Sequence, residues 1–166
     1  MRLISCLLAL FAIPAALAQA PTSTMPYGLI ISARTASTVV GSPVEVQVTL
    51  ENTSPEDLTL VKSGAQRSGE LTYDVEVITA SGSPAVLTPY GRALHGQPTN
   101  PPIVIRNSPR EVTLKPHEKV VDTILLNKIY DLTPGSYIVR VRKSPENSPE
   151  AKIILSNTLK LTILPE

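Results

Sequence analysis

From Val44 to Glu51 the chain alternates apolar and polar residues without a break. Val44, Val46, Val48 and Leu50 fall on one side, and Glu45, Gln47, Thr49 and Glu51 on the other. A period of two marks a strand with one buried face and one wet face. No window offers a comparably long, clean period of 3.6 residues. Sixteen prolines are scattered along the sequence. Proline lacks an N–H and clashes with the preceding turn, so this composition opposes long helices. The chain is therefore expected to be all-β.

The first 20 residues are not read as part of the fold. Arg2 precedes an apolar run from Leu3 to Leu17, and Ala16-Leu17-Ala18 and Ala18-Gln19-Ala20 are small-x-small cleavage sites. This is the pattern of a secretory signal peptide, so the protein is expected to be exported, to the periplasm or beyond. Residues 21–28 are expected to be a flexible mature N-terminus and 29–166 a single domain. The one cysteine, Cys6, lies in the leader, so the mature chain has no disulfide. Without Arg2 the basic residues balance the fourteen acidic ones, and neither sign forms a block. Nucleic acid and anionic membrane are thus unsupported as partners, and no transmembrane segment is expected in the mature chain.

Taken in order, strands are expected at Leu29 to Ala33, Val44 to Glu51, Leu58 to Lys62 and Leu71 to Thr79. Short ones are expected near Ala85 to Leu87 and Ile103 to Arg106. Arg110 to Leu114 and Lys119 to Leu126 read as a hairpin around Lys115-Pro116-His117-Glu118. The inward phase of its second arm is ambiguous, because Val120 and Val121 are both apolar. Pro134-Gly135 reads as a type II turn feeding a strand in which Tyr137, Val139 and Val141 face in and Arg140 and Arg142 face out. Ser63 to Gly69 and Lys143 to Glu150 are polar connections. Ile153 to Leu155 and Leu159 to Leu164 close the chain. Strand spacing of about 8–12 residues suits an immunoglobulin-like antiparallel β-sandwich of about seven to nine strands.

Leu132, the Pro134-Gly135 turn and Tyr137 resemble the corner between strands E and F of fibronectin type III and other immunoglobulin-like sandwiches. Leu50-Glu51-Asn52-Thr53 and Tyr130-Asp131-Leu132…Gly135-Ser136-Tyr137 are similar to the N-terminal region of deuterolysin-type metallopeptidases. Glu51-Asn52-Thr53-Ser54 and Tyr73-Asp74-Val75…Gly82 are similar to BsuPI-type proteinase inhibitors. These resemblances imply an exported sandwich. They carry over no functional residue: there is no His-Glu-x-x-His and no tryptophan.

His95 and His117 are the only histidines. Zinc needs three or four N, S or O ligands, and His117-Glu118 supplies half a motif at a turn, so no metal and no cofactor are expected. No Gly-x-Ser-x-Gly elbow, Ser-x-x-Lys or phosphate loop occurs, so no catalytic residue is assigned and the chain is not expected to be an enzyme. Asp74 with Glu76, and Arg140 with Arg142, read as solvated strand faces. Asn52-Thr53-Ser54 is a glycosylation sequon. The candidate partner-binding segment is Pro89 to Pro102, read as a long loop without regular structure that presents Tyr90, Arg92 and His95. The expected function is protein binding or a structural envelope role, with another protein as partner. The alternative is a proteinase inhibitor using this loop.

Overall fold

The computed structural model describes residues 26–63, 69–143 and 153–166. The leader at 1–20 and most of the two polar connections at 63–69 and 143–150 lie outside the described residues. The fold is mostly β, and two short helices interrupt it. The strands are β1 (Tyr27–Ala33), β2 (Ser37–Val39), β3 (Glu45–Asn52), β4 (Leu58–Lys62), β5 (Asp74–Thr79), β6 (Arg110–Leu114), β7 (Lys119–Leu125), β8 (Gly135–Lys143), β9 (Ile154–Leu155) and β10 (Leu159–Leu164). Helices α1 (Pro89–Leu94) and α2 (Leu126–Ile129) follow β5 and β7.

One sheet has the order β1-β3-β7, a second the order β2-β10-β8-β5 with β9 on β8, and a third pairs β4 with β6. Every pairing is antiparallel except that of β2 with β10. The inward residues pool into one core. Leu29, Ile31, Val46, Val48, Leu50 and Ile124 come from the first sheet, and Val75, Val77, Val139, Val141, Leu161 and Ile163 from the second. The alternation of Val44 to Glu51 emerges as expected, with the valines buried and Glu45 and Gln47 exposed. β1 starts two residues before the expected Leu29, inside the segment expected to be flexible. Tyr27 is the reason: it shares the inward phase of Leu29 and Ile31 and is 2% exposed.

The expected hairpin between β6 and β7 does not form. β7 pairs with β3, Glu51 lying opposite Lys119, and β6 pairs with β4, Leu58 lying opposite Leu114. The two pairings are one ladder with a corner in it. Lys62 and Asp122 stand on opposite sides of that corner, four and three residues from its ends. At roughly 3.3 Å per residue a straight ribbon would hold them more than about 20 Å apart. Instead their side chains are in contact, so β4 and β6 fold back over the core.

Asn52 fills the corner. It is fully buried, and its Nδ2 donates to Glu56 O at 2.7 Å and Leu114 O at 2.9 Å. Its Oδ1 accepts from Ser54 N at 2.9 Å and Ser54 Oγ at 2.7 Å. The sequon asparagine is therefore a structural plug whose amide nitrogen is committed to two carbonyls. On the other side of the corner His117, at φ 64°, donates its N–H to Asn52 O at 2.9 Å.

Other boundaries move for local reasons. β5 begins at Asp74 rather than Leu71, because Thr72 and Tyr73 donate back to Gly69 O in a turn. Residues 103–106 form no strand: Pro101 and Pro102 have no N–H to offer, and no neighbouring strand pairs with the segment. Around Ala85 to Leu87 only isolated bridges form, from Pro84 to Ile78 and from Leu87 to Tyr130. Gly135 has φ 154°, far from the roughly +80° of a type II turn, so the Pro134-Gly135 step is a bend that runs directly into β8. Tyr137 then donates its hydroxyl to Thr133 O at 2.8 Å and pins the bend.

Asn52→Ala leaves the Leu114 carbonyl without its side-chain donor at a buried corner and takes from Glu56 O one of its two donors, the other being the Ser54 hydroxyl. Stability should fall by about 2–4 kcal/mol, read as a lower urea midpoint. A midpoint equal to that of the parent chain would mean that the corner holds without this side chain.

Candidate functional site

The segment from Pro89 to Pro102 is not uniformly irregular. Its first half is helix α1. Thr88 caps that helix, its Oγ1 accepting from Gly91 N at 2.9 Å, and Pro89 occupies the first turn, where its missing N–H costs nothing. The Thr88 hydroxyl also donates to Lys128 O at 2.6 Å, which seats α1 on α2. Gly91 makes the seat close: a Cβ there would lie 2.0 Å from Ile129 O. Thr88-Pro89 is an N-cap followed by an N1 proline, and it is the signal in the sequence that marks this helix.

The three candidate residues part company on this helix. Tyr90 is half-buried against the core, with Lys128 Nζ 4.2 Å above its ring centroid. Lys128 also bonds Glu70 Oε1 at 2.6 Å. Burial works to lower the pKa of Lys128, but its bonds to Glu70 and Tyr90 outweigh this and hold it above the usual lysine range. Arg92 is half-buried, and its Nη1 donates to Leu87 O at 3.1 Å. Both side chains therefore serve to dock the helix. Only His95, at the C-cap, is exposed.

His95 faces β5. Two adjoining cavities, of about 350 and 450 Å³, meet there and share Asp74, Val75, His95 and Arg142. Leu94, Ile129 and Lys143 line one; Glu76, Ile78, Gln97 and Tyr130 line the other. Asp74 and Arg142, opposite each other on β5 and β8, form an ion pair at 2.5 Å on the groove wall. Glu76 stands opposite Arg140 in the next register step. The acidic and basic pairs singled out in the sequence are thus cross-strand partners, and His95 is brought to one of them. Among the described residues no group of three or more His, Cys, Asp or Glu is placed to hold a metal ion.

Tyr130 forms the groove's inner boundary. It is 5% exposed, and its hydroxyl donates to Val75 O at 2.5 Å. Burial pushes its pKa up to about 12, and the charges of Asp74 and Glu76 push the same way, against Arg142 and a hydrogen bond with the Val77 backbone. A larger buried set lies behind the groove. Asp122 bonds Lys62 through one carboxylate oxygen and the Tyr73 hydroxyl, at 2.9 Å, through the other. Lys143 is buried beside them, its Nζ 5.8 Å from the Tyr73 ring centroid. Nothing in the sequence pattern singles out Lys62, Asp122 or Lys143.

No family model matches the sequence, and no curated protein matches it. Solved structures similar to the chain include β-glucuronidase 2 of Bacteroides uniformis covalently bound to cyclophellitol-6-carboxylate aziridine. It is 14% identical, with a TM-score of 0.34, over 82% of this chain and 13% of that one. Another is a β-glucosidase of Erythrobacter marinus, 13% identical, with a TM-score of 0.36, over 79% of this chain and 15% of that one. The chain spans a small part of these enzymes, and at such scores the likeness bears on neither its fold nor its activity.

Gly91→Ala is expected to unseat α1 and lower the thermal midpoint, whereas His95→Ala should change stability by roughly 0.5 kcal/mol or less. Equal midpoints for the two variants would mean that α1 is not docked through Gly91. Alkaline pH supplies a second check. Tyr130 keeps its proton in the fold up to about pH 12, while the unfolded phenol releases it near the ordinary 10.0. The folded chain then binds more protons, so this contribution is complete below pH 10 and is lost as pH rises toward 12. Urea midpoints measured from pH 8 upward should fall less steeply for Tyr130→Phe than for the parent. Parallel pH profiles would contradict this.

Proposed function

We propose that the mature chain is an exported, non-catalytic immunoglobulin-like β-sandwich that acts by binding another protein, or as a structural component of the envelope held by such a contact. Two features support the sandwich. The two larger sheets turn their apolar faces into one core. The Tyr137 hydroxyl bonds back to the backbone four residues upstream, as in the tyrosine corner of immunoglobulin-like domains.

The observation that carries the binding reading is the groove beside the Asp74–Arg142 pair, with His95 exposed on its opposite wall. It offers charge of both signs, an imidazole and an apolar floor from Val75 and Ile78. That mixture suits a polypeptide segment better than a nucleic acid or a uniformly charged ligand. The inhibitor reading is weaker, because a substrate-like loop has to be extended and Pro89–Leu94 is helical.

A photoreactive amino acid placed at position 95 tests the reading in the exporting cell, with position 30 on the outer face of β1 as the control. A discrete protein adduct is expected from position 95 and not from position 30. The same adducts at both positions, or none at 95, would remove the groove as the binding surface.

A further inference from the structure

Three inward-facing rows of apolar residues run onto charges at one place in the core. In β4 the row Leu58, Leu60 reaches Lys62; in β7 Asp122 takes an inward place beside Ile124; in β8 the row Tyr137, Val139, Val141 reaches Lys143. Lys62 Nζ rests directly against Asp122 Oδ1, and the two side chains are 5% and 0% exposed. The second carboxylate oxygen, Oδ2, accepts the Tyr73 hydroxyl at 2.9 Å.

An amine and a carboxyl group fixed in this way are the reactants of an amide condensation, with bulk water kept out. Reacting groups held in contact in a folded frame reach effective concentrations of about 10⁵–10⁸ M. The reaction needs the neutral pair, which one proton passing from the ammonium to the touching carboxylate supplies.

We propose that Lys62 and Asp122 are the two halves of a self-forming isopeptide cross-link that ties β4 to β7. A proton first passes from Nζ to the carboxylate. The Nζ lone pair then attacks Cγ and forms a C–N bond, and negative charge develops on Oδ2, where the Tyr73 hydroxyl donates. A second proton leaves Nζ for Oδ1, the Cγ–Oδ1 bond breaks, and one water departs. Oδ2 remains as the amide carbonyl oxygen, still hydrogen-bonded to Tyr73. Nothing is oxidised or reduced, and no co-reactant is consumed. Tyr73 is suited to the donor role because burial, then the neighbouring charge of Asp122 and the hydrogen bond to it, hold its pKa well above the ordinary value and keep the phenol protonated. Such a donor at the developing oxyanion is worth about 10²–10³ in rate.

The intact mass of the purified, folded protein tests this directly. After incubation at neutral pH it should be lighter than the sequence requires by one water. Tryptic digestion should give a branched species joining residues 35–67 to residues 120–128, with no cleavage after Lys62. Lys62→Met and Asp122→Ala should each keep the full sequence mass. Tyr73→Phe should reach the lighter mass about 10²-fold more slowly. The parent's own mass decides the matter even if a variant fails to fold. A folded parent that keeps its full sequence mass after prolonged incubation overturns the proposal, as does the same water loss from protein held unfolded in urea. A Tyr73→Phe rate equal to the parent's would overturn the role given to Tyr73.

Discussion

The ladder of β3 with β7 continues into β4 with β6 only because it turns a corner, and the rest of the core is arranged around that turn. Six residues, Asn52 to Asp57, stand against four, Lys115 to Glu118, so backbone groups on the longer side lose their partners across the ladder. Unpaired backbone groups at a buried position cost about 1–3 kcal/mol each. The Asn52 side chain offsets that cost by giving its two N–H bonds to carbonyls on both sides of the break and by taking two from Ser54. Once the ribbon has turned, Leu60 and Leu114 cover the core, and Lys62 is carried to Asp122.

The buried charges follow from the same geometry. A lysine and an aspartate inside a core are expensive to desolvate, and a hydrophobic pair of similar volume is often at least as stable. Here the remaining acceptor oxygen of Asp122 is taken by Tyr73, so the carboxylate is bonded through both oxygens. The arrangement is sensitive to register: a slip of one residue in β7 would turn Asp122 outward and put Val121 in its place.

This is also why part of the fold could not be read from the pattern. Val44 to Leu50, Tyr73 to Val77, Tyr137 to Val141 and Leu161 to Ile163 alternate cleanly, and the core they form was legible from spacing. β7 was ambiguous because its inward row is Val120, Asp122 and Ile124, while Val121 is 47% exposed on the outside. A rule that sends charges outward fails at the position where the charge is satisfied indoors. Lys143 reads as the start of a polar loop for the same reason. Lys115-Pro116-His117-Glu118 reads as the tip of a β6–β7 hairpin because it is a genuine turn, yet one that redirects both arms to other partners. At the groove, His95, Asp74 and Arg142 were each visible as residues. Their meeting depends on α1 being docked by Gly91, a contact between backbone and backbone that side-chain patterning does not record.

The phenol of Tyr130 and the carboxamide of Asn157 act in one manner on two edge strands, one from each of the larger sheets. Tyr130 bonds the free side of β5 at Val75 O. Asn157 takes both groups of Ile31 on the free side of β1, Oδ1 accepting its N–H at 2.7 Å and Nδ2 donating to its carbonyl at 3.0 Å. Each stands in for a strand that is not there. A sheet edge with unpaired groups is a template on which another chain can extend the sheet, and a domain without disulfides that opens transiently is exposed to that hazard. Plugging each edge at its middle leaves no unbroken row of free groups for an incoming strand to zip along. Selection on these two side chains would then concern the company the protein keeps at high concentration, and an Asn157 variant could fold well in dilution yet gel when crowded.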